Sequence, residues 1–162
     1  MPLQREPRRK NLNIPGHAHG LTFSCYRTQK LLTCERTCRW LAEAIDAARE
    51  KHQFSLWAYV FMPEHVHLIV CPQQREYDIA SIRKSIKAPT ARKAICRMQK
   101  ESPQSLEMIT RHRGSRTERL FWQSGGGYDR NIDEPATLER MIDYLHANPI
   151  RRGLVASASD WP

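Results

Sequence analysis

Two histidines separated by a single residue, His65 and His67, lie within the apolar stretch of residues 60–70. The stretch is rich in β-branched and aromatic residues and is interrupted once, at Pro63, which is typical of two buried strands joined by a turn. Because side chains alternate between the faces of a strand, both imidazoles are predicted to share one face, opposite the apolar core. Paired imidazoles on a stiff sheet can hold a divalent metal. The alternative is that one histidine is a satisfied surface or core residue and the other is incidental.

A second pair of residues that could do chemistry, Tyr144 and Asn148, lies near the C-terminus. They are four positions apart on a predicted helix, so they share one helical face at the edge of its apolar stripe. If this helix crosses the sheet above His65 and His67, Asn148 can supply a third metal ligand and Tyr144 a phenolic oxygen nearby. The alternatives are a helix C-cap for Asn148 and a border aromatic with its tip in water for Tyr144.

A mixed set of strands and helices must position these residues. Alternation and turn residues predict strands over residues 21–26, 55–62, 66–71, 120–123 and 128–132. Helical periodicity predicts helices over residues 35–51, from 78 to 89 with a further helical piece around 94–98, and from 133 to 148. Asp133 is the expected N-cap of the last helix. Proline is expected to end or kink the second helix at Pro89 and to stop the last one at Pro149.

The composition indicates a single basic domain. The chain has 162 residues, with 26 Lys and Arg against 17 Asp and Glu, a formal charge of +9 and a pI near 9.7. Residues 1–20 are expected to form a flexible basic arm and residues 21–162 one domain. This charge favours polyanionic partners, first nucleic acid and second an anionic membrane surface. No apolar run has the length of a membrane span, and the N-terminus lacks the apolar core of a signal peptide.

The five cysteines form an odd set without a C-x-x-C pair, so they are predicted to be reduced thiols of a cytoplasmic protein. Cys34 and Cys38 could suggest half of a metal site. They also share a helical stripe with Leu41 and Ile45, which favours core packing. The glycines at 125–127 lack the Gly-Lys-Ser/Thr ending of a nucleotide-binding loop and are predicted to form a bulge or turn.

Basic residues are concentrated in residues 83–119, where eleven Lys or Arg stand against three acidic residues. An excess of this size makes a surface that follows the phosphates of a nucleic acid one of two equally good interpretations. The alternative is a solvated helix face followed by a loose loop over residues 101–118. The candidate DNA contacts are Lys87, Arg92, Lys93, Arg97, Arg130, Arg151 and Arg152.

Four motifs together resemble one protein family. They are Met-Pro-Glu-His-Val-His-Leu-Ile-Val from Met62, Phe-Trp-Gln from Phe121, Tyr-Asp-Arg from Tyr128, and Asp-Tyr-Leu-His-Ala-Asn-Pro-Ile-Arg-Arg-Gly-Leu-Val from Asp143. In this order, over about residues 20–161, they resemble the IS200-like single-tyrosine (HUH) transposases, and most closely the REP-associated tyrosine transposases. The basic segment 100–119 is longer than the family pattern suggests.

The resemblance implies an α+β, ferredoxin-like (RRM-like) sandwich, with an antiparallel β-sheet and helices packed on one face. It also implies that His65 and His67 are the metal-binding pair, that Tyr144 is the nucleophile and that Asn148 completes the metal site. Two imidazoles and an amide leave open coordination positions and add no negative charge. Such a site suits Mg²⁺ or Mn²⁺ bound together with a substrate phosphate.

We therefore expect a metal-dependent nickase and strand transferase of single-stranded DNA that forms a 5′-phosphotyrosine intermediate. The resemblance points to a hairpin-bearing repeat as the DNA, and the sequence is compatible with a homodimer or a monomer. Two other functions stay open. A non-catalytic single-strand binding module would keep the fold and the basic face, and a small histidine-metal hydrolase would release free DNA ends without attached protein.

Overall fold

The computed structural model describes residues 11–162, and its centre is a four-stranded antiparallel sheet. The strands are β1 (Ala18–Ser24), β2 (Phe54–Phe61), β3 (His65–Pro72), β4 (Thr110–Arg113), β5 (Arg116–Arg119) and β6 (Tyr128–Ile132). The helices are α1 (Glu35–His52), α2 (Ile79–Glu101), α3 (Pro103–Met108) and α4 (Pro135–Arg151). Short 3₁₀ turns occur at Tyr26–Thr28, Leu31–Thr33 and Ala158–Asp160.

The central sheet has the strand order β2-β3-β1-β6, and β4 pairs with β5 in a separate hairpin. With α1 between β1 and β2, and α2 between β3 and β6, this is the ferredoxin-like arrangement, so the predicted fold class is confirmed. The pairing register sets Thr22 of β1 opposite both His67 of β3 and Tyr128 of β6. These three residues therefore form one row across the sheet.

The helices cover both faces of the sheet, which differs in one respect from the prediction of helices on one face. The core that contains Phe23, Val66 and Leu68 packs with α1 and α2. A second cluster, on the opposite face, joins Ile69 of β3 to Leu145 of α4. The reason lies in β3, where every residue after the first is buried. A strand that is buried on both sides needs a covering layer on both sides.

A glycine in β1 allows α4 to lie close to the sheet. A Cβ atom at Gly20 would overlap the side chain of Met141 of α4. Met141 belongs to the apolar stripe predicted for this helix, and the stripe packs against the second core cluster as expected. Gly20 therefore helps to set the height of α4 above the sheet.

Pro149 lies inside α4, so the prediction that this helix stops there was wrong. Pro89 lies inside α2, which continues to Glu101, so of the two outcomes predicted for Pro89 the helix end is wrong. On either side of Pro89, Ile86 and Ala94 are buried in the core shared with α1. Pro149 is itself buried in the last turn of α4. Tertiary packing thus outweighs the backbone hydrogen bond that each proline removes.

The N-termini of α2 and α4 differ in how they are capped. Asp78 caps α2, because its carboxylate accepts hydrogen bonds from the backbone N–H groups of Ala80 and Ser81. The predicted N-cap of α4, Asp133, is displaced by Glu134, whose side chain makes no capping hydrogen bond. Pro135 then occupies the first turn of α4 and fixes its start without a capping side chain.

The segment of residues 101–119 is not a loose loop, because α3 and the β4–β5 hairpin occupy it. Across that hairpin, Arg111 Nε lies 2.8 Å from Glu118 Oε2. Residues 120–123 do not form the predicted strand, and Trp122 makes only an isolated bridge with Cys25. The ring of Trp122 is nevertheless buried in the core.

Of the predicted basic arm, residues 1–10 lie outside the described residues. The part that follows is anchored, since the carbonyl of Ile14 accepts a hydrogen bond from the Tyr77 hydroxyl at 2.9 Å. That hydroxyl also contacts Nε2 of the fully buried His19 at 2.7 Å, and His19 Nδ1 lies 2.7 Å from Asp129. This buried chain of polar contacts ties β1, β6 and the start of α2 together. Over residues 11–162, no helix is long and apolar enough to cross a membrane.

Candidate active site

The register of β3 brings His65 and His67 together on the sheet face that α4 covers. Their Nε2 atoms lie 3.0 Å apart, and their rings are nearly perpendicular, at 88°. The two imidazoles thus share a face, as the alternation of the strand predicts. A point close to both Nε2 atoms is a natural position for a cation.

Each imidazole is held through its other nitrogen. Thr22 Oγ1 lies 2.7 Å from His67 Nδ1, and Glu64 Oε1 lies 3.1 Å from His65 Nδ1. When both Nδ1 atoms carry the proton and donate it to these oxygens, the two Nε2 lone pairs are available to a cation. Burial, together with the nearby charge of His65, also lowers the pKa of His67 to about 4. His67 is therefore neutral at physiological pH.

Helix α4 adds an amide and a phenol to the histidine pair. The Asn148 side chain is buried, and its Nδ2 lies 3.1 Å from His67 Nε2. Rotation of the amide exchanges its nitrogen and oxygen, so Asn148 can present either atom at this point. The C-cap of α4 is Arg152, so Asn148 does not have the capping role considered as its alternative.

Tyr144 lies next to the histidine pair, and its ring meets that of His67 edge to face at a centroid distance of 5.7 Å. The side chain is 47% exposed, so a substrate can reach it. The guanidinium of Arg151 lies 5.5 Å from the centre of the Tyr144 ring. In the part of the chain that the structure describes, the Tyr144 hydroxyl has no hydrogen-bond partner, which leaves it available to a bound molecule.

A carboxylate beside the histidines is tied to the end of α4. Glu64 Oε1 accepts hydrogen bonds from His65 and from Arg152, whose Nη1 lies 2.8 Å away. Burial alone would raise the pKa of Glu64, but the hydrogen bond from Arg152 and the charge of His65 outweigh it and lower the pKa. The second carboxylate oxygen, Oε2, is buried and has no hydrogen-bond partner within residues 11–162. An orphaned acceptor at this position is suited to a water molecule of a hydrated cation.

A groove of about 530 Å³ runs between α4 and the row of residues that crosses the sheet. His67 and Tyr144 line one part of it, and Tyr128, Arg130 and Arg140 line another. Arg140 was not among the predicted DNA contacts, whereas Arg130 was. The groove therefore combines the candidate chemical groups with two cations.

The predicted DNA contacts on α2 lie on the other side of the sheet from the histidine pair, because α2 packs against the opposite face. Lys93 is paired with Glu43 at 2.7 Å. Arg97 is paired with Glu101 at 2.6 Å and also contacts Cys34. A phosphate would have to compete with these acidic partners. The role of the basic residues of α2 in DNA binding stays a prediction.

The two cysteines considered as half of a metal site are not part of one. Cys38 packs against the core that α1 shares with the sheet, and Cys34 is the N-cap residue of α1. In residues 11–162, no group of three or more His, Cys, Asp and Glu side chains is arranged to hold a metal. A third protein ligand for a cation at the histidine pair would therefore have to be of another residue type, such as the adjacent amide of Asn148.

Three residues of the candidate site were missed by the sequence argument: Thr22, Glu64 and Arg140. Glu64 adjoins His65 in the quoted motif and could have been found by asking which group orients that imidazole. Thr22 and Arg140 carried no such signal, because both reach the site through pairing or packing between distant parts of the chain.

Comparison with known proteins gives a consistent assignment. Residues 16–147 match the family model described as "Transposase IS200 like". A REP-associated tyrosine transposase of Escherichia coli is 26% identical over 136 residues, which cover 84% of this chain and 67% of that protein. A solved structure of a REP-associated tyrosine transposase bound to a REP hairpin is similar in fold. Its TM-score is 0.74 at 22% identity, over 97% of this chain and 81% of that one.

The family match spans most of the chain, including β3 and the part of α4 that carries Tyr144. The curated relative and the solved structure come from the same group that the sequence motifs resemble. The protein thus belongs to the IS200-like transposase family and is similar to its REP-associated tyrosine transposases.

Proposed function

We propose that this protein is a metal-dependent nickase and strand transferase of single-stranded DNA, which acts through a 5′-phosphotyrosine intermediate. The observation that carries the proposal is the close grouping of four side chains around His67, at the side of the groove between α4 and the sheet. The groups are the Nε2 atoms of His65 and His67, 3.0 Å apart, the Asn148 amide 3.1 Å from His67, and the adjacent Tyr144 ring.

The residues present fit a divalent cation. His65 and His67 offer two nitrogen ligands, and contacts of their Nδ1 atoms with Glu64 and Thr22 fix the orientation of the rings. Asn148 offers an amide oxygen. The three ligands are neutral and leave positions open for water and a phosphate oxygen, which suits Mg²⁺ or Mn²⁺. When bound, the cation would polarise the scissile phosphate and stabilise the charge on its oxygens.

Tyr144 is the proposed nucleophile. Its Oη attacks the phosphorus and forms a phosphotyrosine bond, while the bond from phosphorus to the 3′ oxygen breaks. The phenolic proton passes to solvent, and the leaving 3′ oxygen takes a proton from water. One phosphoester is exchanged for another, so a 3′ hydroxyl can later reverse the step and rejoin a strand. Arg151 lies over the Tyr144 ring and is suited to hold the substrate beside the nucleophile.

The proposed substrate is a DNA hairpin with single-stranded flanks, because a similar solved transposase is bound to a REP hairpin. Arg130 and Arg140 line the groove beside Tyr144 and are proposed to contact backbone phosphates. Arg152, paired with Glu64, is proposed to act on the histidine site rather than on DNA alone. We further propose that the basic residues of α2 contact the DNA and that the protein is cytoplasmic.

A covalent-adduct assay tests this function. A 5′-labelled and a 3′-labelled hairpin oligonucleotide carrying the flanking genomic sequence are incubated with protein and Mn²⁺, then separated on a denaturing gel. We expect a protein-linked band with the 3′-labelled DNA and a free nick product with the 5′-labelled DNA. Cleavage without an adduct would instead favour the metal hydrolase, and binding without cleavage would favour the non-catalytic module.

A further inference from the structure

A second basic groove, of about 370 Å³, lies between α2 and the glycine turn of residues 125–127. Three cations of α2 line it, Arg83, Lys84 and Lys87, and the opposite wall includes Gly125 and Gly126. Among the described residues, its lining contains no acidic side chain. The basic residues nearer the C-terminus of α2 differ, because Lys93 and Arg97 have carboxylate partners.

Arg83 is the unusual member of this group, because only 7% of it is exposed. Within residues 11–162 its guanidinium has neither a hydrogen bond nor an ion pair. Its nitrogen atoms are not among the described side-chain atoms that are both buried and without a hydrogen-bond partner, so the burial falls mainly on the aliphatic stem and the guanidinium reaches solvent in the groove. The guanidinium therefore has unused donors that face the glycine turn.

Lys87 lies beside Arg83 and shares the same wall. Its Nζ is 3.4 Å from the carbonyl oxygen of Gly125 and 5.5 Å from the centre of the Phe23 ring. Burial, and then the charge of Arg83, lower the pKa of Lys87 to about 8. Two adjacent, partly buried cations repel each other, and a bound anion would relieve that repulsion.

The turn is shaped around the arginine. A Cβ atom at Gly126 would lie 2.7 Å from Nη2 of Arg83, so glycine leaves the space that the guanidinium occupies. Gly125 and Gly127 have positive φ angles, of 94° and 67°, which other residues rarely adopt. Tight glycine turns that leave the backbone open to a ligand are common at phosphate sites.

The groove lies on the face of the sheet that α2 covers, opposite the candidate active site, and its glycine turn lies at the β6 edge. His67, Thr22 and Tyr128 form one row across β3, β1 and β6. Two strand spacings separate the ends of this row, which is about 10 Å. The glycine turn directly precedes Tyr128. A DNA strand that leaves Tyr144 and passes over the β6 edge would therefore come to the basic groove on the other face of the sheet.

We infer that Arg83, Lys84 and Lys87, with the glycine turn, form a binding site for a backbone phosphate of the single-stranded flank of the DNA. The inference rests on the proposed function, because it takes the DNA strand at Tyr144 as its starting point. The phosphate would accept hydrogen bonds from Arg83 and Lys87, and its single negative charge would reduce the repulsion between them. The site would hold the flank beyond the cleaved bond without touching the reacting atoms.

The test measures the binding of a fluorescein-labelled hairpin oligonucleotide by anisotropy at several salt concentrations. In the double variant Lys84→Gln/Lys87→Gln, we expect weaker binding and a log–log salt slope reduced by about 0.7, the value for one lost phosphate contact on a single strand. In the Gly126→Ala variant, which keeps the charge, the new methyl group should displace the Arg83 guanidinium and also weaken binding. In the Mn²⁺-dependent cleavage reaction, both variants should raise KM and leave kcat unchanged.

The matched control is Lys51→Gln/Lys100→Gln, which removes the same charge from exposed positions that do not line the groove. It should keep the wild-type slope. Oligonucleotides with one flank shortened give a second readout, because shortening the contacted flank should weaken the wild-type protein but not the Lys84/Lys87 variant. Equal effects of the two double variants, or a Gly126→Ala protein of intact thermal stability and wild-type affinity, would overturn the site.

Failure of the proposed function would look different. In that case the wild-type protein forms no covalent adduct in Mn²⁺, whereas the difference in salt slope between the two double variants persists. If the adduct forms and the slopes of both double variants match the wild type, the phosphate site is wrong and the proposed function stands.

Discussion

Arg152, directly after the last residue of α4, holds the carboxylate of Glu64 in the turn before β3, with Nη1 and Oε1 2.8 Å apart. The same oxygen accepts the hydrogen bond from His65 Nδ1. This contact joins the helix that carries Tyr144 to the strand that carries the histidines. The position of the nucleophile and the orientation of a metal ligand are therefore linked through one carboxylate.

Breaking this link should weaken metal binding. We expect Arg152→Ala to lower the affinity for Mn²⁺ about 10- to 100-fold, because Glu64 then holds His65 less firmly. Isothermal titration calorimetry with Mn²⁺ measures this loss independently of DNA cleavage. In a double-mutant cycle, Glu64→Gln combined with Arg152→Ala should be little worse than either single change. Fully additive losses would mean that the two residues act separately.

Metal binding by the histidine pair should depend on Thr22 as well as on the imidazole nitrogens themselves. His67→Ala should abolish Mn²⁺ binding and DNA cleavage, since it removes a central ligand of the site. Thr22→Val removes the oxygen 2.7 Å from His67 Nδ1 at little change in volume, and we expect about a 10-fold loss of Mn²⁺ affinity. Calorimetry and the cleavage gel together check both changes. Wild-type cleavage by His67→Ala protein in Mg²⁺ would reject this site.

Tyr144→Phe should separate chemistry from binding. The change removes one exposed oxygen and leaves the edge-to-face contact with His67, so folding and DNA affinity should be unchanged. The covalent adduct and the cleavage should disappear. Peptide mass spectrometry of the wild-type adduct should identify Tyr144 as the modified residue. DNA attached to Tyr128, which lines the same groove, would contradict the assignment.

Cys34 should react with alkylating reagents near neutral pH. Burial would raise the pKa of this thiol, but hydrogen bonds from the Thr37 backbone and from Arg97 outweigh it and lower the pKa to about 7. The thiolate is the reactive form, so it is present above about pH 7 and is lost as the pH falls below that value. Burial raises the pKa of Cys25 to about 12, so Cys25 should stay unmodified.

Iodoacetamide labelling followed by mass spectrometry, from pH 5.5 to 9, measures the midpoint for Cys34. Arg97→Gln removes a hydrogen bond to the sulfur and should shift that midpoint upward. The exposed Cys96 serves as the internal reference. A labelling midpoint for Cys34 well above pH 7 would contradict this prediction.

The features that follow from the regular periodicity of a strand or a helix could be predicted from the sequence. The alternation of β3 determined that His65 and His67 share a face, and the helical repeat determined that Tyr144 and Asn148 do. The apolar stripe of α4 was predicted for the same reason. In each case the geometry follows from backbone periodicity, which depends on residues close together in the chain.

Only the tertiary structure decided how these local units meet. It brought α4 onto the histidine face, closed the contact between Glu64 and Arg152, and carried α2 through Pro89. These outcomes depend on the shape of buried surfaces, as at Gly20, and on pairing between residues far apart in sequence, as between Thr22 and His67. The free energies of local secondary-structure preference are small compared with those of such packing. The sequence pattern alone therefore does not determine how these units meet.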